Sequence, residues 1–162
     1  MPFLVRWLGV IKSGTHGDAM VLNVDFAPTF LEAAGLAVPA DMQGRSFVPV
    51  LRGQGPRDWR TSMYYRYYHD PGDHNTRAHY GVRTRTHKLI YFWKKDQWEL
   101  FDLVNDPHEL HNLYGEPGQE ALTASLKGEL ARLKRDVRDD DQLADRQLPN
   151  GVDGTVVRLR GK

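Results

Sequence analysis

The chain has 162 residues, 40% of them hydrophobic, with no cysteine and a formal net charge of +1 at pH 7. That length supports one domain with a core or two small ones, and the near-even charge gives no reason to expect a nucleic-acid or membrane partner. The lack of cysteine excludes disulfides, thiolate metal sites and cysteine nucleophiles, while no apolar run approaches the about 20 residues of a membrane span.

The opening stretch has no basic leader ahead of a long apolar run, so it does not read as a signal peptide. Phe3 to Trp7, followed by Val10 and Ile11, predicts a short buried strand, and Lys12 to Asp18 a turn. Asp25 stands where a helix N-cap belongs, with Pro28 in the first turn, and Gly35 is placed to close that helix in a left-handed cap. Phe26 to Ala34 is apolar nearly all round, which predicts a buried helix. Residues 36–58, with Pro39, Pro49 and Pro56 around a short apolar patch at Phe47 to Leu51, read as a long connection.

Beyond a boundary near residue 55 the pattern changes. Ser62 to Tyr68, Tyr80 to Arg85, Lys88 to Trp93 and Trp98 to Leu103 are β-prone runs rich in aromatic and branched residues. Their short links favour antiparallel hairpins. From about Gln119, Leu122, Leu126, Leu130, Leu133 and Val137 recur at helical spacing. An antiparallel sheet of four strands covered by one amphipathic helix is the economical fold for residues 60–138. Residues 139–162 read as a tail, and Asp139-Asp140-Asp141 as a solvated charge run.

Charge is unevenly spread. Residues 57–95 carry nine bases against three acids, and residues 96–120 carry seven acids and no Lys or Arg. Such blocks pair with one another as neighbouring surfaces, or else the basic one faces an anionic ligand. The densest candidate site is Tyr64 to Tyr80, which holds five of the seven tyrosines and three of the seven histidines, with Arg66 and Arg77. Pro71-Gly72-Asp73 marks a loop between two strands, where binding residues sit on a rigid scaffold. Tyrosine faces and hydroxyls with arginine forks suit sugar rings bearing sulfate or carboxylate groups. In an alternating strand about half of these tyrosines are packing instead. His74 and His79, five apart, match no metal-ligand spacing, and His108 with His111 reads as part of an Asp106-Pro107 turn rather than a metal site. No G-x-S-x-G, no phosphate-binding glycine loop and no H-E-x-x-H occurs, so the residues alone describe a binding or supporting piece.

Several stretches resemble the C-terminal part of sulfatases, the formylglycine-dependent sulfate ester hydrolases of the alkaline-phosphatase-like superfamily. Residues 1–15 look like the strand and turn after the catalytic lysine region, although Leu8 stands where the family pattern has proline. Asn23 to Gly35 is similar to the family's D-x-x-P-T helix, and Asp41 to Phe47 to its G-R-S segment. Gly81-Val82-Arg83-Thr84, Lys88 to Tyr91 and Trp98 to Leu113 look like the hairpins of its C-terminal subdomain. The branch it resembles is that of N-sulfoglucosamine sulfohydrolases and N-acetylglucosamine-6-sulfatases.

The resemblance implies an α+β chain, with the end of an alkaline-phosphatase-like α/β domain in residues 1–55, the small subdomain in 56–138 and a tail in 139–162. It implies a sulfated carbohydrate substrate, with His74, His79 and Arg77 as the candidate contacts, and no nucleic acid and no membrane. Calcium and formylglycine belong to a full-length enzyme of this family. Neither has its motif here, so the chain reads as truncated, inactive alone, and able to self-associate through the exposed apolar face of residues 3–34. The alternative is a non-catalytic module that binds sulfated or acidic glycans.

Overall fold

The computed structural model describes residues 3–70, 72, 75–141 and 144. The chain divides into two compact units, Met1–Thr61 and Ser62–Lys162.

In the first unit a 3-10 turn at Asn23–Asp25 runs into α1, Phe26–Ala33, and a single helical turn, α2, spans Val48–Leu51. Gly35 closes α1 at φ +72°: its N–H donates to the Glu32 carbonyl and that of Leu36 to Leu31, a Schellman cap. Asp25 holds the N-cap position, but its carboxylate does not cap the helix. It is fully buried and turns to other segments. Its Oδ2 accepts from the Leu22 amide at 2.8 Å, its Oδ1 accepts from the Arg45 amide at 2.9 Å, and Arg60 clamps both oxygens from residue positions 35 further along the chain. One carboxylate thus ties three segments together, and every lone-pair direction is used, which is what a buried charge requires. Thr29 continues the tie, its hydroxyl donating to the Asp25 carbonyl and accepting from the Phe47 amide.

Two expectations fail in this unit. Phe3 to Trp7 is irregular rather than a strand, and Leu4 is 93% exposed. A strand needs a ladder partner, and no strand is present among the described residues of this unit. Phe3 instead sets its ring edge-on against Phe26 and Phe47. α1 is buried only at Pro28 and Thr29, and Phe30 is 66% exposed. The apolar patch at Phe47 to Leu51 makes α2, with Phe47 and Val48 fully buried.

The second unit is a four-stranded antiparallel sheet in the order β1 (Ser62–Tyr67), β2 (His79–Thr84), β3 (His87–Phe92), β4 (Gln97–Asp102), followed by α3 at Glu120–Asp136. The register lines up Tyr64, Val82, Leu89 and Leu100 across all four strands on one face. Leu126 and Leu130 of α3 pack on that row to make the core, with Leu122 and Leu133 beside them. At about 25 cal/mol per Å² of apolar surface, each fully buried leucine in this layer contributes about 2 kcal/mol. The next row on the same face is Arg66, Tyr80, Tyr91 and Trp98. Alternation sends Tyr65, Tyr67, His79 and Phe92 to the opposite face.

Candidate functional site

The loop between β1 and β2 grows from the end of the sheet where Tyr67 pairs with His79. Asp70, at its start, is ion-paired with Arg77 at 3.3 Å and lies 3.9 Å from Lys94, which comes from the link between β3 and β4. A tight turn follows, in which the Gly72 amide donates to the Thr76 carbonyl at 2.7 Å and the Asn75 amide to the Gly72 carbonyl at 3.2 Å. Asn75 adopts φ +60°, a left-handed conformation that asparagine tolerates.

His79 is the sequence-predicted site residue with the most defined setting. Its Nδ1 lies 2.7 Å from the Arg77 carbonyl oxygen. Its ring stacks on Tyr67 at 5.7 Å and meets Tyr65 edge-on at 5.8 Å and Phe92 at 5.4 Å. Tyr65 itself lies over Gly81 of the neighbouring strand, and its hydroxyl is buried with no hydrogen-bond partner among the described residues. Burial, and then the charges of Glu109 and Glu99, push the Tyr65 hydroxyl well above the usual tyrosine range. Arg77 sits in the same loop with its guanidinium engaged by Asp70. His74 lies outside the described residues. The Asp106 turn is present: its carboxylate accepts from the His111 amide, and Glu109, at φ +55°, pairs with Lys88.

The other organised cluster lies on the α3 face and was not anticipated. Asp139 and Asp141, expected to be solvated, both close on Arg66, whose side chain is only 4% exposed. Arg66 Nη1 donates to Asp139 at 2.7 and 2.8 Å and to Asp141 at 2.6 Å, and the Tyr64 hydroxyl donates to Asp139 at 2.5 Å. The guanidinium stacks within 4.5 to 5.1 Å of Trp93, Tyr68 and Tyr80. Burial works against the Arg66 charge, yet the hydrogen bonds to the two aspartates outweigh it and raise its pKa. Burial likewise opposes ionised Asp139, and donation from Tyr64 and Arg66 wins, holding that carboxyl below its usual range. A buried arginine must find carboxylates, and the nearest acidic run beyond α3 was the one signal in the sequence for this contact.

Among the described residues no three His, Asp or Glu side chains gather to hold a metal ion, and Ser13, Ser46, Ser62 and Ser125 open no C/S-x-P/A-x-R sequence. Among the described residues, then, there is neither a cluster of metal ligands nor that motif.

The antiparallel sheet of four strands followed by one C-terminal helix is a fold shared with solved sulfatases of the alkaline-phosphatase-like fold. The profile of the family "N-sulphoglucosamine sulphohydrolase, C-terminal" matches residues 1–136, and the chain belongs to that family. An N-acetylglucosamine-6-O-sulfatase of Bacteroides thetaiotaomicron is 42% identical over 144 residues, covering 87% of this chain and 26% of that protein. The N-acetylglucosamine-6-sulfatase of Capra hircus is 30% identical over 143 residues, covering 70% of this chain and 25% of the relative. A solved structure of a protein in complex with its substrate D-glucosamine-2-N,6-O-disulfate superimposes with a TM-score of 0.80 at 42% identity, over 84% of this chain and 28% of the other. The chain thus spans about a quarter of the length of the curated relatives it matches.

Proposed function

We propose that the chain is the C-terminal part of a sulfatase acting on a sulfated amino sugar, and that it supplies substrate contacts rather than chemistry. The observation that carries this reading is the 42% identity, over 87% of the chain, to an N-acetylglucosamine-6-O-sulfatase. The superposition on a structure that holds a sulfated glucosamine supports the same substrate class. Within the chain, His79 is the principal contact, with His74 from the same loop as a second. Arg77 contributes less, because Asp70 already takes its charge. The nucleophile and its metal belong to the remainder of the enzyme, so this chain alone leaves sulfate esters intact.

The test is to incubate the 162-residue chain with D-glucosamine-2-N,6-O-disulfate, following sulfate release and, by calorimetry, binding. Binding without release, weakened about tenfold by His79→Ala, is the expected result, the loss corresponding to one good hydrogen bond. Sulfate release from the chain alone would contradict the division of labour, and unchanged binding by His79→Ala would remove that residue from the site.

We also infer that the chain by itself self-associates through the exposed apolar side chains of residues 3–34, Leu4 and Phe30 among them. Sedimentation velocity should show concentration-dependent species that Phe30→Glu reduces. A single monomeric species at all concentrations would rule this out.

A further inference from the structure

We propose that Tyr67 and Gly72 are positioning residues that fix which nitrogen of His79 faces a ligand; this rests on the reading of His79 as a ligand contact. The Arg77 carbonyl, 2.7 Å from His79 Nδ1, can only accept a hydrogen bond. Nδ1 therefore carries the proton, and in the neutral ring the lone pair stands on Nε2. A carbonyl alone fixes the proton and leaves the ring free to rotate. Rotation is stopped by the rings around it: Tyr67 lies nearly parallel, at an interplanar angle of 24°, while Tyr65 and Phe92 close two further sides.

Tyr67 can hold that place only because residue 72 has no side chain. A Cβ built on Gly72 would stand 1.8 Å from the Tyr67 hydroxyl oxygen and 2.6 Å from Cζ. The φ angle at Gly72 is not in the left-handed region, so the glycine is required by space rather than by torsion. The same residue anchors the turn through its amide to the Thr76 carbonyl and its carbonyl to the Asn75 amide. Turn, tyrosine and imidazole are therefore one packed unit: enlarging residue 72 displaces Tyr67, and losing Tyr67 frees the histidine ring. The Arg77 side chain is outside this unit, since what His79 uses is that residue's backbone.

The experiment is a long-range proton–nitrogen correlation on the full chain with labelled histidine, at about pH 8.5, where an ordinary imidazole is neutral. The wild-type His79 should show a protonated Nδ1 and a bare Nε2. Gly72→Ala and Tyr67→Leu should collapse that pattern towards rapid exchange between tautomers, while Tyr67→Phe, which keeps the ring, and Arg77→Ala should preserve it. Amide spectra of Val82, Leu89 and Leu100 report whether each variant keeps its core, and Tyr67→Leu carries the test if Gly72→Ala does not fold. In parallel, Gly72→Ala and Tyr67→Leu should weaken binding of D-glucosamine-2-N,6-O-disulfate about tenfold. A wild-type ring protonated on Nε2, or a wild-type pattern in both Gly72→Ala and Tyr67→Leu, overturns the positioning role. A collapsed tautomer with unchanged binding leaves the positioning role standing and defeats the reading of His79 as a ligand contact.

Discussion

Arg66 sits near the end of β1 with its charge turned inward, and the chain returns 73 residues later to neutralise it. Asp139→Ala removes the less exposed of the two carboxylates on Arg66 and the acceptor of the Tyr64 hydroxyl, leaving the buried guanidinium to the half-exposed Asp141 alone, so it should lower stability by about 3 kcal/mol, read as the shift of a urea unfolding midpoint. A loss below about 0.5 kcal/mol would mean the contact behaves like an exposed ion pair. Glu129 gives a pH-dependent counterpart. Hydrogen bonds from Arg132 chiefly, opposed by burial and helped by the Ser62 hydroxyl, hold its carboxyl down at about 2 against an ordinary 4.5. Its folded pKa lies below its unfolded one, so its contribution is fully present above the unfolded value and fades as the pH falls from 4.5 towards 2. Stability measured across that window should fall less steeply in Glu129→Gln than in the wild type; parallel curves would show that Glu129 carries no such linkage.

At the scale of elements, Gly81 shows why β2 and β3 approach as they do. A Cβ there would stand 2.4 Å from the Leu89 carbonyl oxygen and 2.8 Å from the Tyr65 hydroxyl. Gly81→Ala must part the strands or expel the tyrosine, an overpacking cost of about 1–3 kcal/mol that thermal unfolding would register; an unchanged midpoint would show that the strands give way freely. Gly44 has the same logic in the first unit, with a Cβ 1.9 Å from the Val24 carbonyl oxygen, next to the Arg45 amide that Asp25 holds. The four strands and α3 were legible in the sequence within a residue or two, because alternation and the leucine stripe are local signals and the links between strands are short. Phe3 to Trp7 was misread because an apolar run records only that a segment can be buried. Whether it becomes a strand depends on a partner that local sequence does not encode.

For the whole molecule, family and fold class could be read from a series of ordered motifs, but the wiring could not. The Asp25–Arg60 clamp joins positions 35 apart, and Arg66 with Asp139 joins positions 73 apart. Neither has a spacing rule, since such pairs are fixed by where the folded chain places them. The same holds for the candidate loop: Tyr67, His79 and Arg77 were visible as residue types. The engagement of Arg77 by Asp70 and the seating of Tyr67 on Gly72 were not.

The row of rings across the sheet of the second unit has an optical consequence. Tyr91 and Trp98 stack at 4.3 Å and 24°, and Trp98 in turn stacks on Tyr114 at 6.0 Å. Chromophores that close and that ordered couple their transitions, so the intact β3–β4 pair should give a signed couplet in near-ultraviolet circular dichroism, and a spectrum unchanged by Tyr91→Leu would rule that out. All three rings belong to the unit Ser62–Lys162, so that couplet should report on the sheet. The melting of the sheet can therefore be followed on its own in the unmodified chain, without a label.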